Sequence, residues 1–197
     1  MTKDLAILIP TLPERIDNYF GLMKELKNQI QTFGLQDKVQ ILSLLDTKEM
    51  TVGEKRNWLL DMSKARYVQF LDDDDRVSND YLLKMQQATV YNTDVITFQG
   101  EYHEGGIFHS SFLISTMVQF DSNQAGMMYR KPNHICAVKR DIAIQCRFPT
   151  INFGEDSEYA TLINKLIKSE HHINEKLYFY MFDMNKSETQ KFKTWQL

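Results

Sequence analysis

The sequence predicts an α/β fold: one domain built on a mostly parallel sheet with helices on both faces. Two observations carry this. Short apolar runs closed by Pro or Asp alternate with stretches whose apolar residues recur every three or four positions. The alternation βαβαβαβ fills the first half of the chain, the order that produces a doubly wound sheet. Length agrees with a single domain, since 197 residues bury a sizeable core without a second one.

The elements follow in order. "LAILI" (Leu5 to Ile9) is an apolar run stopped by Pro10, which suits a strand buried on both faces. From Pro13 the spacing becomes helical through Ile16, Tyr19, Met23, Leu26 and Ile30, with an end near Gly34. "KVQILSLLD" is a second strand closed by Asp46, "GEKRNWLLDMSKA" a short helix and "RYVQFL" a third strand. Four aspartates, Asp72 to Asp75, end that strand, and a helix is expected from about Ser78, with Ser78 as N-cap. "DVITFQGEYH" and "IFHSSFLI" form an antiparallel hairpin through "EGG". A helix from about Glu155 to Lys168 and a last strand, "KLYFYMF", complete the second half.

Composition excludes several classes. A net charge of -3 argues against a protein living on non-specific phosphate contacts, although a local basic patch stays possible. No apolar run approaches the roughly 20 residues of a membrane span. Cys136 and Cys146 have no metal-site spacing and are expected as reduced thiols in a cytoplasmic protein.

Chemistry concentrates where strands end. In open α/β sheets ligands bind beyond the carboxyl ends of the strands. Here those ends carry "PTLPER", Asp46 and the aspartate run. Neighbouring carboxylates ionise together only at a cost unless a cation joins them. Oxygen ligands of this kind suit Mn²⁺ or Mg²⁺, completed by phosphate oxygens and water. An EF-hand loop counted from Asp72 fails, because Val77 and Leu83 stand where Gly and Glu are needed. Asp73, Asp75 and Val77 formally match a haloacid-dehalogenase loop, but that loop belongs on a first strand and here follows the third. A solvated acidic turn capping the next helix is the structural alternative.

"LAILIPTLPER", "GEKRNWLLDMSKARYVQFLDDDDRVSNDYLL" and "FGEDSEYATLI", in that order, resemble the family-2 glycosyltransferases of GT-A fold. The likeness runs from about residue 4 to about residue 185. It implies a GT-A domain over 1–185, with 1–100 holding the nucleotide-sugar and 101–185 the acceptor side, and a tail over 186–197. It also implies that Pro10, Thr11 and Arg15 line the nucleotide pocket, that Asp46 accepts a hydrogen bond from the base, and that Arg56 lies near the base or diphosphate. Asp72 would face ribose and metal and Asp74 would bind the metal directly. Asp73 would be a neighbour that tolerates change at less cost. Asp156, or else Glu155, would be the base that activates the acceptor hydroxyl, with inversion at the anomeric carbon. The chain departs from the family between Asp46 and Arg56, where a helix and strand are trimmed, and at its end, where Asp183 stands near the place of a metal-binding histidine.

The implied activity is metal-dependent transfer of a sugar from a nucleoside diphosphate, UDP first, to a hydroxyl on a glycan, a small molecule or a modified nucleic-acid base. A phosphoryl or nucleotidyl transferase and a non-catalytic nucleotide-binding module are the alternatives. For His134 a structural role beside a strand is the plainer expectation.

Overall fold

The computed structural model describes residues 2–183; the tail proposed over 186–197 lies outside them. In chain order the elements are β1 (Leu5–Thr11), a 3-10 turn (Pro13–Arg15), α1 (Ile16–Phe33), β2 (Val39–Leu45), α2 (Val52–Met62), β3 (Tyr67–Phe70), β4 (Arg76–Val77) and α3 (Tyr81–Ala88). They continue with β5 (Val95–Glu104), β6 (Ile107–Ile114), β7 (Ser122–Gln124), β8 (Met127–Arg130), β9 (Ala137–Lys139), α4 (Arg140–Ala143), α5 (Glu155–Leu166) and β10 (Glu170–Phe182).

The sheet runs β2-β1-β3-β9-β5-β6-β8-β7, with β10 paired to β5 and to β4. β1 is parallel to both β2 and β3, and β10 is parallel to β5. Short β9 is inserted antiparallel between β3 and β5, so β1, β2, β3, β5 and β10 share one direction. Their carboxyl ends therefore gather on one side. β5 and β6 form the expected hairpin.

All five residues Leu5 to Ile9 have no exposed surface, as a strand central to the sheet requires. α2 is set by a capping box the residues announce as "TVGE": Thr51 accepts from the Glu54 N–H, and Glu54 answers the Thr51 N–H at 2.8 Å. Gly53 on its first turn lies against the 147–151 segment, where an added Cβ would sit 1.8 Å from the Pro149 carbonyl oxygen. Only glycine lets the helix approach that closely. Asn57 fastens the same contact, donating to the Phe148 carbonyl at 2.8 Å and accepting its N–H at 3.0 Å.

Several boundaries differ from expectation: β1 continues through Pro10 to Thr11, β10 begins at Glu170 rather than Lys176, and α3 starts later. Ser78 is not the N-cap of α3, which begins at Tyr81 with Asp80 at the cap position. The Ser78 hydroxyl donates to Asp80 instead, and its carbonyl accepts from Gln29 of α1. β4 pairs with β10 just before this point and holds the chain extended. Cys136 and Cys146 are free and buried. Among the described residues no helix is long and apolar enough to cross a membrane.

Candidate active site

A cleft of about 240 Å³ opens at the carboxyl ends of β1 and β3. Pro10, Thr11 and Arg15 form one wall, Lys55 and Arg56 the base, Asp72 to Asp74 the centre, Gly154 to Asp156 the second wall and Tyr180 to Asp183 the rim.

The four aspartates divide their duties. Asp73 is buried and accepts from the Thr11 hydroxyl at 2.6 Å and from Arg15 Nη1 at 2.9 Å. Asp75 is buried and accepts from the Tyr178 hydroxyl and from the Met181 N–H at 2.7 Å. These two are anchors, one to β1 and one to β10. The Asp73 carboxylate ties the loop to the first strand. Asp72 meets Arg56 Nη2 at 3.0 Å and His134 Nε2 at 3.4 Å. Asp74 is the most exposed of the four, its side chain 28% accessible, and it pairs with Arg15 Nη1 at 3.1 Å.

Their acidities follow from these surroundings. Burial would raise Asp72, but Arg56 and His134 outweigh it and hold that group well below the usual carboxylate range. Burial raises Asp73 despite Thr11 and Arg15. Burial raises Asp75 as well, and the charges of Asp72 and Asp74 add to it. Asp74 is pushed up to about 6 by burial, Arg15 opposing and Asp72 and Asp73 reinforcing. Burial, with mutual repulsion added, thus disfavours full ionisation of the loop, a cost that an added positive ion offsets.

Arg56 joins the two walls. Its guanidinium is buried between the rings of Phe70 and Phe148, 5.1 and 5.6 Å from their centroids. Nη2 pairs with Asp72, and Nε lies 3.4 Å from Glu155 at the start of α5. It is a strut between the aspartate loop and α5, which the resemblance, placing it near base or diphosphate, did not suggest. Glu155 is buried against it, its acidity weakened chiefly by burial. Asp156 is half-exposed and, among the described residues, accepts from its neighbour Ser157, N–H at 2.8 Å. Gly154, at φ +84°, caps this helix in the left-handed region and turns both acids toward the cleft from one short corner.

Asp46 is placed differently from its expected role. It does not border the cleft; its oxygens accept from the Met50 N–H at 2.9 Å and from Lys55 Nζ at 2.5 Å. Burial opposes its charge, but these donors hold its acidity below the ordinary value. The short connection from Asp46 to α2 places Lys55 against the Asp46 carboxylate. Lys55, 3% exposed, is the cation that faces the cleft there. Its signal was available, since it lies one residue before Arg56 behind a capping box. His134 also borders the cleft and carries the third strand end: its carbonyl accepts the Phe70 N–H at 3.1 Å.

Asp72, Asp74 and Asp183 share the cleft, yet no group of three metal-binding side chains is assembled among the described residues. The donor set nevertheless fits a hard divalent ion, which takes one or two carboxylates and draws its remaining ligands from phosphate and water. Asp74, partly exposed at the cleft, supplies oxygens of that kind.

No protein-family model and no curated protein matches the sequence. Solved structures do match. The chain superposes on S. aureus TarS 1-349 in complex with UDP-GlcNAc with TM-score 0.63 at 12% identity, over 91% of this chain and 58% of that one. The same protein in complex with UDP gives TM-score 0.63 at 11% identity, over 92% and 61%. The catalytic domain of Drosophila β1,4-galactosyltransferase 7, in complex with xylobiose, gives 0.60 at 14% identity, over 95% and 74%. The fold is GT-A. This chain spans about three-fifths of the TarS 1-349 chains it matches. The mixed α/β domain anticipated from the residues is the one these glycosyltransferases share.

Asp74 also offers a direct check on the charge balance. It binds its proton more tightly when folded than at its ordinary value of 3.8, so between there and about 6 the folded state holds more protons. Stability conferred by the protonated group is complete below 3.8 and is lost as pH rises through about 6. In chelator, Asp74→Asn should melt higher than the parent protein at pH 7 by roughly 2–6 °C. The two should converge at pH 4, and equal melting at both pH values would refute the assignment.

Proposed function

We propose that the protein transfers a sugar from a UDP-sugar to an acceptor hydroxyl, with a divalent metal and with inversion at the anomeric carbon. The observation that carries this is the facing of two groups across one cleft: the aspartate loop on one side and Asp156 on the other, held apart by the Arg56 strut. UDP is favoured because the matching TarS structures hold UDP and UDP-GlcNAc.

Asp74 would hold Mn²⁺ or Mg²⁺, with Asp72 beside it and Asp183 at the rim. The bound ion would neutralise charge developing on the departing diphosphate. Arg15 and Lys55 add positive charge from the protein itself, Arg15 fixed by Asp73 and Lys55 by Asp46. Thr11 is already committed to Asp73, so its part is to hold the loop. Asp156 takes the proton of the acceptor hydroxyl as that oxygen attacks the anomeric carbon. The bond from that carbon to the diphosphate oxygen breaks as the new one forms, and the electron pair leaves with UDP. Glu155, buried against Arg56, keeps Asp156 in register rather than sharing its task.

Thermal unfolding with UDP-, GDP-, CDP- and dTDP-sugars tests the donor. UDP-sugars should raise the midpoint with Mn²⁺ and not in chelator. A flat response to all four would refute the reading.

A further inference from the structure

The two ends of the sheet differ. At one end β7 is three polar residues, Ser122–Gln124, too short to recruit another strand. At the other, β2 runs for seven residues, Val39–Leu45, in unbroken register with β1, and among the described residues it pairs with nothing else. It carries no charge, no proline and no bulge, the devices that ordinarily keep an edge from pairing. Its outward N–H and C=O groups are a template for one more strand.

Both helices beside this edge expose large apolar side chains. On one face the Tyr19 hydroxyl of α1 donates to Ser43 at 3.0 Å, and Phe20, its ring 5.6 Å from that of Tyr19, is 61% exposed. On the other face α2 is tied to both ends of β2. Lys55 reaches Asp46, and the Lys64 N–H, just past the helix, lies 3.5 Å from Gln40 Oε1. Trp58 and Met62, three and seven residues after Lys55, follow the same side of α2 and are 59 and 60% exposed. Leu45, at the end of the strand, is exposed as well.

The charge of the edge selects its occupant. When two copies pair antiparallel about a two-fold axis at Leu42, Leu42 faces itself, Ile41 faces Ser43, Gln40 faces Leu44 and Val39 faces Leu45. Self-pairing penalises a charged strand, because side chains near the axis meet their own copies. Every facing pair here is neutral. The axis stands normal to the sheet, so each helix meets its own counterpart, α2 beside α2 and α1 beside α1. Trp58, Met62, Phe20 and Leu45 with the strand edge offer roughly 600 Å² per copy. Two copies reach the roughly 1,200 Å² from which specific interfaces are built.

We propose that β2 is a self-association edge: two copies of this chain join antiparallel through β2 into one continuous sheet, with Trp58 and Met62 sealing one face and Phe20 the other. Pairing reverses the direction of the parallel strands, so the two clefts open at opposite ends of the joined sheet. The inference is independent of the reaction proposed for the cleft, and neither UDP nor metal enters it.

Sedimentation equilibrium across roughly 1–100 μM should show a reversible dimer, half-associated at on the order of 10 μM. Hydrogen exchange of the 39–45 amides should slow as the dimer forms, at alternate residues, and revert on dilution. Trp58→Glu with Met62→Glu sets four carboxylates against the interface and should weaken association by roughly a hundredfold or more. Its far-UV circular dichroism should match the parent protein, and its 39–45 amides should exchange as in the diluted parent. A chain monomeric across the whole range, or a dimer indifferent to the double substitution, would overturn the proposal. So would a dimer whose 39–45 amides exchange unchanged, which places the interface elsewhere. Protection of those amides in a monomer would overturn it too, by showing that another segment of the same chain lies along the edge.

Discussion

Asp156→Asn should lower UDP release from a UDP-sugar by roughly 10²–10⁴-fold while leaving the Mn²⁺-dependent melting shift with UDP in place. The amide keeps the shape of the side chain and its contact with the Ser157 N–H, but cannot take a proton from a hydroxyl. Asp156 makes no contact with the aspartate loop through which the donor is proposed to bind, so affinity and turnover should separate. Unchanged turnover would remove Asp156 from the mechanism and leave Glu155 to be tested. A protein that binds UDP with metal yet shows no turnover even unmodified would instead be a binding module on a transferase fold.

Arg56→Ala should destabilise the fold by about 3–5 kcal/mol in denaturant unfolding, the largest stability effect expected in the site. Asp72 and Glu155 would both lose the charge that offsets their burial, and the space between Phe70 and Phe148 would be left unfilled. Arg56→Lys should fall between, since an ammonium supplies the charge but not a fork reaching both carboxylates. Loss of the metal-dependent UDP response should accompany the loss of stability, because Asp72 is oriented by this guanidinium. A stability change below about 0.5 kcal/mol for Arg56→Ala would show that Asp72 and Glu155 do not depend on the strut.

Much of the frame was legible because it rests on local patterns. The buried runs "LAILI" and "YVQF", the helical spacing after Pro13 and the "EGG" hairpin each declare themselves within a few residues. Short β9 did not, because three residues carry no periodicity. Its place between β3 and β5 is decided by register with strands distant in sequence. The start of α3 was misplaced because Ser78 has the right chemistry for a cap, but β4 still holds the chain in the sheet there.

The site divides in the same way. That Asp72 to Asp75 mark a charged strand end, with Gly154-Glu155-Asp156 as a second acidic corner, was contained in residue types and their order. Which aspartate does what was not, since four identical side chains in succession differ only in what surrounds them. Thr11, Arg15, Tyr178 and Met181 claim Asp73 and Asp75 as anchors, Arg56 and His134 orient Asp72, and Asp74, the most exposed of the four, pairs with Arg15. The same holds for Asp46, which Lys55 occupies once the connection to α2 is short. Residue types set the charges and the strand ends; packing across the sheet decided which charges are spent and which remain for a ligand.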